Sequence, residues 1–550
     1  YGGKLRLSLK GEGIQMGIWD AGHIFANHDE FTGGADFAGY QVPIEIADST
    51  AAYIWGGHPT AVASIVIAKG VLDNDKYDIR GVSPQLAKVY SYDWESDVFE
   101  IFEQLQTNNN TDFILSNHSY GYPLTDSNGE PIPDEFIGNY SLWSSLIDEI
   151  TFTYPYYLHV AAGGNDGNKS YPSQSVVGLD QLTGSTTAKN VLTVGSFSMD
   201  DNSKNITPTG FSSAGPTNDF RIKPEICAAG QYLGAAAWDQ SNPEATGSYI
   251  ATSGTSFAAP GAAAGVALLQ QLHKKTHNTF MRGATAKALL CHTADDILQW
   301  GELDITGPDT KTGYGAINLE KAATVIQKDV SENNTIVEFQ LNENTTKTLY
   351  FKTFEEGTLT ATLSWYDPHA PENATITLVN DLDLRIQQES TTFFPWKLPT
   401  DAQQAVAVLG DNSVDNLEQI KISNNLGGVY KIEVSHKNSL QYGSQEASLI
   451  ITGPGLVVTS LAAVRNLNEH DFLISPMPAN DFFTVATLDN TLPFRNVVLL
   501  TLKGSQITQV KKESFSLKPI RLDVGFLPRG AYVVAIETPF GSVFKRVIIN

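Results

Sequence analysis

The chain has 550 residues, 41% of them apolar and 17% charged, with 60 acidic against 36 basic side chains and a formal charge of −24. That length suggests three or four units, and the composition excludes a disordered chain. The acidic balance argues against a nucleic-acid surface, where a basic patch dominates. No apolar run approaches the roughly 18–20 residues that span a bilayer, so no transmembrane segment is expected.

In chain order, Ile14–Trp19 reads as a buried strand whose end presents Asp20 before the Gly22 turn. A buried carboxylate needs a partner, and holding a histidine in one tautomer supplies it; an ordinary Asx turn fits the same letters. Gly56-Gly57-His58-Pro59 opens a helix over Ala61–Ala68, with proline pre-set for a first helical turn. Among 11 histidines His58 is the favoured general base, with His23 and His118, both at strand ends, as rivals. Strands are then expected at Ala87–Tyr92, Phe113–Ser116, Tyr157–Ala162 and Val191–Val194, with helices at Val98–Gln106 and Leu142–Ile150 between them. The strand before Gly163-Gly164-Asn165 places an amide donor at the sheet edge, where it can stabilise an oxyanion. Ser253-Gly254-Thr255-Ser256 opens a helix over Phe257–Leu272, and another follows at Ala284–His292. A serine there has a free backbone N–H and the positive end of the helix dipole. Ser256 is therefore a candidate nucleophile that carries its own oxyanion donor; an ordinary N-cap is the alternative.

Strand–helix alternation implies right-handed crossovers and a mostly parallel sheet with helices on both faces, its functional residues at the carboxyl ends of strands. Past the polar stretch Lys328–Asn334, read as a linker, apolar residues recur at every second position, as in Leu359, Ala361, Leu363 and Trp365. Residues 336–455 are expected to form a β-sandwich or jelly roll, and 468–550 a small second β-sandwich. The two cysteines, Cys227 and Cys291, make no disulfide framework and are expected as buried thiols.

The order Asp20-Ala21-Gly22, His58, Ala162-Gly163-Gly164-Asn165-Asp166-Gly167, Gly254-Thr255-Ser256-Phe257-Ala258-Ala259-Pro260 resembles the subtilase family over about residues 10–325. Phe211–Pro216 and Lys223-Pro224-Glu225-Ile226 are similar to family segments as well. The resemblance implies a subtilisin-like catalytic domain over 1–328. In it Asp20 orients, His58 is base then acid, Ser256 attacks, and Asn165 completes the oxyanion hole. Ser119, Tyr120, Gly121, Ala162 and Gly163 then bind extended substrate. The expected function is a secreted serine endopeptidase that hydrolyses protein or peptide through an acyl-enzyme. The chain departs from the family pattern at Pro59, commonly a glycine, and at Ala61, commonly a histidine. Two other readings stand beside it: an acid-active enzyme with a Glu–Asp–Ser set, and an inactive subtilase fold serving as a surface binding or adhesion protein.

Leu363–Pro368 with Leu378–Leu384 resembles the β-barrel that follows the catalytic unit in some alkaline subtilases. That likeness implies structural calcium, with Asp367, Asn380, Asp381 and Asp383 as oxygen donors of the kind calcium prefers. Ser475–Phe482, Leu527–Val534 and Lys545–Ile549 are similar to the C-terminal sorting domain of type IX secretion cargo. It implies the secretion machinery as a partner, and a secreted or cell-surface location in a Gram-negative bacterium.

Overall fold

The computed structural model describes residues 5–550 except 6, 34–38, 49–54, 73–78, 108–111, 127, 172–173, 175–177, 201–204, 298, 301–302, 305–306, 333–334, 354, 401–405, 426, 460–470, 489–493 and 539–540. Its first unit is built on eight strands: β1 (Gln15–Asp20), β2 (Ile44–Ile46), β3 (Lys88–Asp93), β4 (Phe113–His118), β5 (Leu158–Ala162), β6 (Leu192–Met199), β7 (Ile206–Pro208) and β8 (Ile226–Ala229). They run in the order β2-β3-β1-β4-β5-β6-β7, with β8 also on β6, and only the β6–β7 pair is antiparallel. The helices are α1 (Asp29–Thr32), α2 (Gly57–Ile67), α3 (Asp97–Thr107), α4 (Leu142–Thr153), α5 (Thr255–His277), α6 (Gly283–Thr293) and α7 (Leu319–Glu332).

Strand side chains alternate between two layers of helices, as the period of two demands. Val89, Ile114 and Val160 pack with α2, α5 and α6, while Tyr90, Phe113 and Ala161 pack with Ile101 and Leu105 of α3 and Ile147 of α4. Covered on both faces, β1 is buried almost end to end, which is why it reads as a continuous apolar run. The first half of the central helix α5 is rich in small buried residues (Ala258, Ala259, Ala262, Ala263, Ala264, Gly265, Ala267), so strands and neighbouring helices can approach it closely. Strand order reverses beside β1, where the chain goes out to β2 and β3 and then returns to β4. In open sheets of this kind the crevice at that reversal is where ligands bind.

The described residues of 336–459 form two main antiparallel sheets, one of four strands and one of five, with a two-stranded pair (Trp396–Lys397 with Val408–Leu409) beside them. The two main sheets enclose a shared core that includes Phe351, Leu363, Leu384 and Ile432. The stretch read as a linker is mostly not one. Helix α7 runs to Glu332, and Asp329 Oδ1 accepts from the backbone N–H of Ile336 at 2.8 Å; Asn333 and Asn334 lie outside the described residues. The polar letters there reflect a solvated helix end. The core of the first unit continues into the second through Tyr366, Leu417 and Ile450.

A buried polar seam reinforces this joint. Lys189 pairs with Asp367, both side chains fully buried, and its ammonium also donates to the carbonyls of Pro368 (2.6 Å) and Thr377 (2.7 Å). Asn190 bonds Asp367 backbone at both ends. Residues 472–549 form a third body, a three-stranded and a four-stranded antiparallel sheet around a separate core with Phe472, Phe483, Val497 and Val547. Both cysteines are free and buried, and burial pushes both thiols well above their ordinary pKa.

Candidate active site

Asp20 closes β1 at the carboxyl edge of the sheet and is 1% exposed. Its Oδ1 lies 2.6 Å from Nδ1 of His58 and also accepts from the N–H of Ala21 at 2.6 Å. Burial disfavours a charged His58, but the hydrogen bond and the charge of Asp20 outweigh it and raise the imidazole pKa above 6.5. His58 is the second residue of α2 and Pro59 the third. Backbone N–H groups of a first helical turn have no intrahelical acceptor, so the missing donor of proline costs nothing there. Pro59 therefore leaves the His58–Asp20 contact intact. Its ring fits because residue 56 is glycine: a Cβ there would meet the ring at 2.6 Å and the carbonyl of Ala21 at 2.7 Å.

Ser256 is the second residue of α5 and is 9% exposed. Phe257, next in the chain, packs against the His58 ring with centroids 5.3 Å apart. The Ser256 hydroxyl donates to the Ser119 carbonyl at 3.2 Å, and Ser119 returns the contact, its Oγ donating to the Ser256 carbonyl at 2.8 Å. The second bond has a simple cause. Pro260 stands inside α5 four residues beyond Ser256 and has no N–H to give to that carbonyl, so Ser119 takes the vacancy.

Asn165 follows β5, and its Oδ1 accepts from both the N–H (2.8 Å) and the hydroxyl (3.0 Å) of Thr255. Its oxygen end is thereby fixed and its NH2 end remains to donate into a polar cavity of about 300 Å3. Ser119, Tyr120, Gly121, Ala162, Gly163 and Asn165 line that cavity together with Ser256. The structure thus brings the expected substrate residues to one site.

The rival histidines sit elsewhere. His118 is fully buried, hydrogen-bonded to Ser116 and Tyr120 and stacked on His159 at 3.7 Å, and burial holds its pKa well below 6.5. His23 faces Asp48 at 3.4 Å.

The expected calcium set does not fit. The Asp367 carboxylate is taken by Lys189 and by the N–H groups of Val379 and Asn380. The Asn380 side chain serves Gln445 and Gln441. Asp381 pairs with Lys437, and Asp383 with Lys437 and Arg385. Lysine and arginine cations stand where the likeness implied a metal. Among the described residues, one His/Asp set, His23, Asp48 and Asp93, does bring its ligand atoms within 4.8 Å of one another. Sequence reading also missed Lys189 as the partner of Asp367 and Ser119 as the partner of Ser256; only Pro260, a proline four residues past Ser256, signals the latter.

The chain is 25% identical over 283 residues to the serine protease/ABC transporter B family protein tagA of Dictyostelium discoideum, covering 45% of this chain and 15% of that protein. It is 27% identical over 326 residues to the minor extracellular protease Epr of Bacillus subtilis (strain 168), covering 58% and 40%. The chain thus spans less than half the length of these curated relatives. The solved patellamide maturation protease PatA is 22% identical, with a TM-score of 0.40, over 58% of this chain and 98% of that one. The prenylagaramide maturation protease PagA gives 22% and 0.39, over 57% and 93%. Residues 473–550 match the secretion system C-terminal sorting domain, which marks the chain as secreted or cell-surface cargo, and among the described residues no helix is long and apolar enough to cross a membrane. Residues 11–315, more than half of the chain, match the subtilase family model, and the chain belongs to the subtilase family.

Proposed function

We propose that the chain is a secreted serine endopeptidase in which Asp20, His58 and Ser256 act as the triad. The observation that carries this reading is the 2.6 Å contact of His58 Nδ1 with a buried Asp20, the His58 ring packing on Phe257, the neighbour of Ser256 in the first turn of α5. On substrate binding the Ser256 hydroxyl turns from the Ser119 carbonyl to His58 Nε2. Its oxygen attacks the scissile carbonyl carbon while the proton passes to His58. The negative oxygen of the tetrahedral species is met by the Ser256 N–H and the Asn165 amide. His58 then gives its proton to the leaving amine, and water repeats the cycle on the acyl-enzyme. Asp20 stays ionised throughout and holds the imidazolium.

The extended substrate lies along Ser119–Gly121 and Ala162–Gly163, backbone beside the polar cavity. A panel of quenched fluorescent peptides, with calcium present and absent, tests the reading. Cleavage that disappears in Ser256→Ala, with fluorophosphonate labelling lost at the same residue, supports it. Equal cleavage by wild type and variant removes Ser256 as nucleophile, and an activity optimum well below about pH 5 points instead to a carboxylate base.

A further inference from the structure

At the same carboxyl edge of the sheet as Asp20, the chain gathers a second group of polar side chains that the catalytic reading does not use. His23 follows β1, Asp48 follows β2, and Asp93 closes β3. One ligand atom from each lies within 4.8 Å of the others. The side chains of His23 and Asp48 are only 3% and 5% exposed. Glu100 of α3 brings a further carboxylate against Asp48, and Trp19 Nε1–H donates to that carboxylate at 3.0 Å. The ion pair within the group is His23 with Asp48, and among the described residues no lysine or arginine reaches its carboxylates.

Two features of this group suit a bound cation. Asp48 Oδ2 accepts from the Asp93 N–H at 2.7 Å, but Asp48 Oδ1 is enclosed and takes no hydrogen bond. A buried carboxylate oxygen in that state is costly unless a cation meets it. The other feature is a distance. His23 Nε2 stands 3.4 Å from Asp48 Oδ2, longer than the roughly 2.7–2.9 Å of a charge-assisted hydrogen bond. It matches instead the edge of a tetrahedron with metal–ligand bonds of about 2.1 Å, an edge of about 3.4 Å.

An imidazole nitrogen beside carboxylate oxygens is a donor set for zinc and its neighbours, whereas calcium takes oxygen ligands. We propose that His23, Asp48 and Asp93 bind one zinc-class divalent ion, with water completing its coordination. The site would brace the candidate triad. Asp93 lies opposite Asp20 in the β1–β3 register. The His23 carbonyl accepts from the N–H of Gly56 at 2.9 Å, and Gly56 caps α2 two residues ahead of His58. One ion thus ties together the segments after β1 and β2 and the end of β3, which flank Asp20 and lead to His58. The binding itself does not depend on whether Ser256 is a nucleophile.

The test strips the full chain with a chelator and titrates it with zinc, reading binding by calorimetry and bound metal by elemental analysis. One zinc per chain is expected, with a rise in melting temperature, because the ion binds only the folded state. His23→Gln and Asp48→Asn should each weaken binding at least about tenfold. Both side chains are buried, so a variant that fails to fold is set aside in favour of the wild-type chain. Anomalous diffraction at the zinc edge then locates the ion directly, and its peak should fall between His23, Asp48 and Asp93. No zinc uptake, a peak elsewhere, or undiminished affinity in a folded Asp48→Asn chain would overturn the site. Calcium displacing zinc at equal concentration would overturn it as well.

Discussion

Lys189, from the α/β unit, and Asp367, from the β-sandwich, form an ion pair with neither side chain exposed to solvent. Two charges taken out of water hold a structure together only when every remaining donor and acceptor is met. Here they are: two carbonyls finish the ammonium and two backbone N–H groups finish the carboxylate. Such a pair contributes less as an attraction than as a condition, because either charge alone would be stranded.

Lys189→Met is therefore expected to destabilise by about 3–5 kcal/mol, the range for an uncompensated buried charge. Thermal or urea unfolding measures it. Adding Asp367→Leu should recover much of the loss, since an apolar pair of similar volume is often neutral; an additive double mutant would show that the two residues do not act together.

Asn165→Ala should lower kcat by about 100- to 1,000-fold with little change in KM, the range measured when such an amide is removed from a subtilisin. Stopped assays on one good peptide suffice. A loss confined to KM would assign Asn165 to ground-state binding.

The pH dependence follows from His58. Its pKa is raised above 6.5 by Asp20, and only the neutral imidazole accepts the serine proton. kcat/KM for an uncharged peptide should fall as pH drops through that raised pKa, about tenfold per unit below it. In Asp20→Asn the raising interaction is gone, so the midpoint should move down while the rate falls about 10,000-fold, as in other Ser-His-Asp hydrolases. An unmoved midpoint would assign the titration to another group.

Pro59→Gly should leave kcat/KM unchanged and lower stability by about 0.4–1 kcal/mol, because the glycine enlarges the unfolded ensemble. A marked gain in activity would mean that the proline does restrain His58.

Much of this was legible from sequence because the relevant signals are local. Asp20 ends a strand, Asn165 lies in the glycine turn just past one, and Ser256 is in the first turn of a helix. Strand ends and helix starts leave their mark in glycines and apolar periodicity. The strand reading stopped one residue short at Asp20 because a carboxylate in a strand looks like a turn. The calcium set misled for the opposite reason. Asp367, Asn380, Asp381 and Asp383 carry the right atoms for a metal, but whether oxygens face an ion or a lysine depends on Lys189 and Lys437, which lie far away in the chain. The apparent linker failed likewise, since exposed Lys328 and Val330 on α7 say nothing of Tyr366, Leu417 and Ile450 joining the core of the first unit.

Among the described residues, the apolar cluster of the third body draws only on residues between Phe472 and Ile549, whereas that of the first unit extends as far along the chain as Ile450. Limited proteolysis therefore has two very different places to act. A cut ahead of Phe472 detaches an address label from a finished machine, while a cut near residue 335 would split the machine itself.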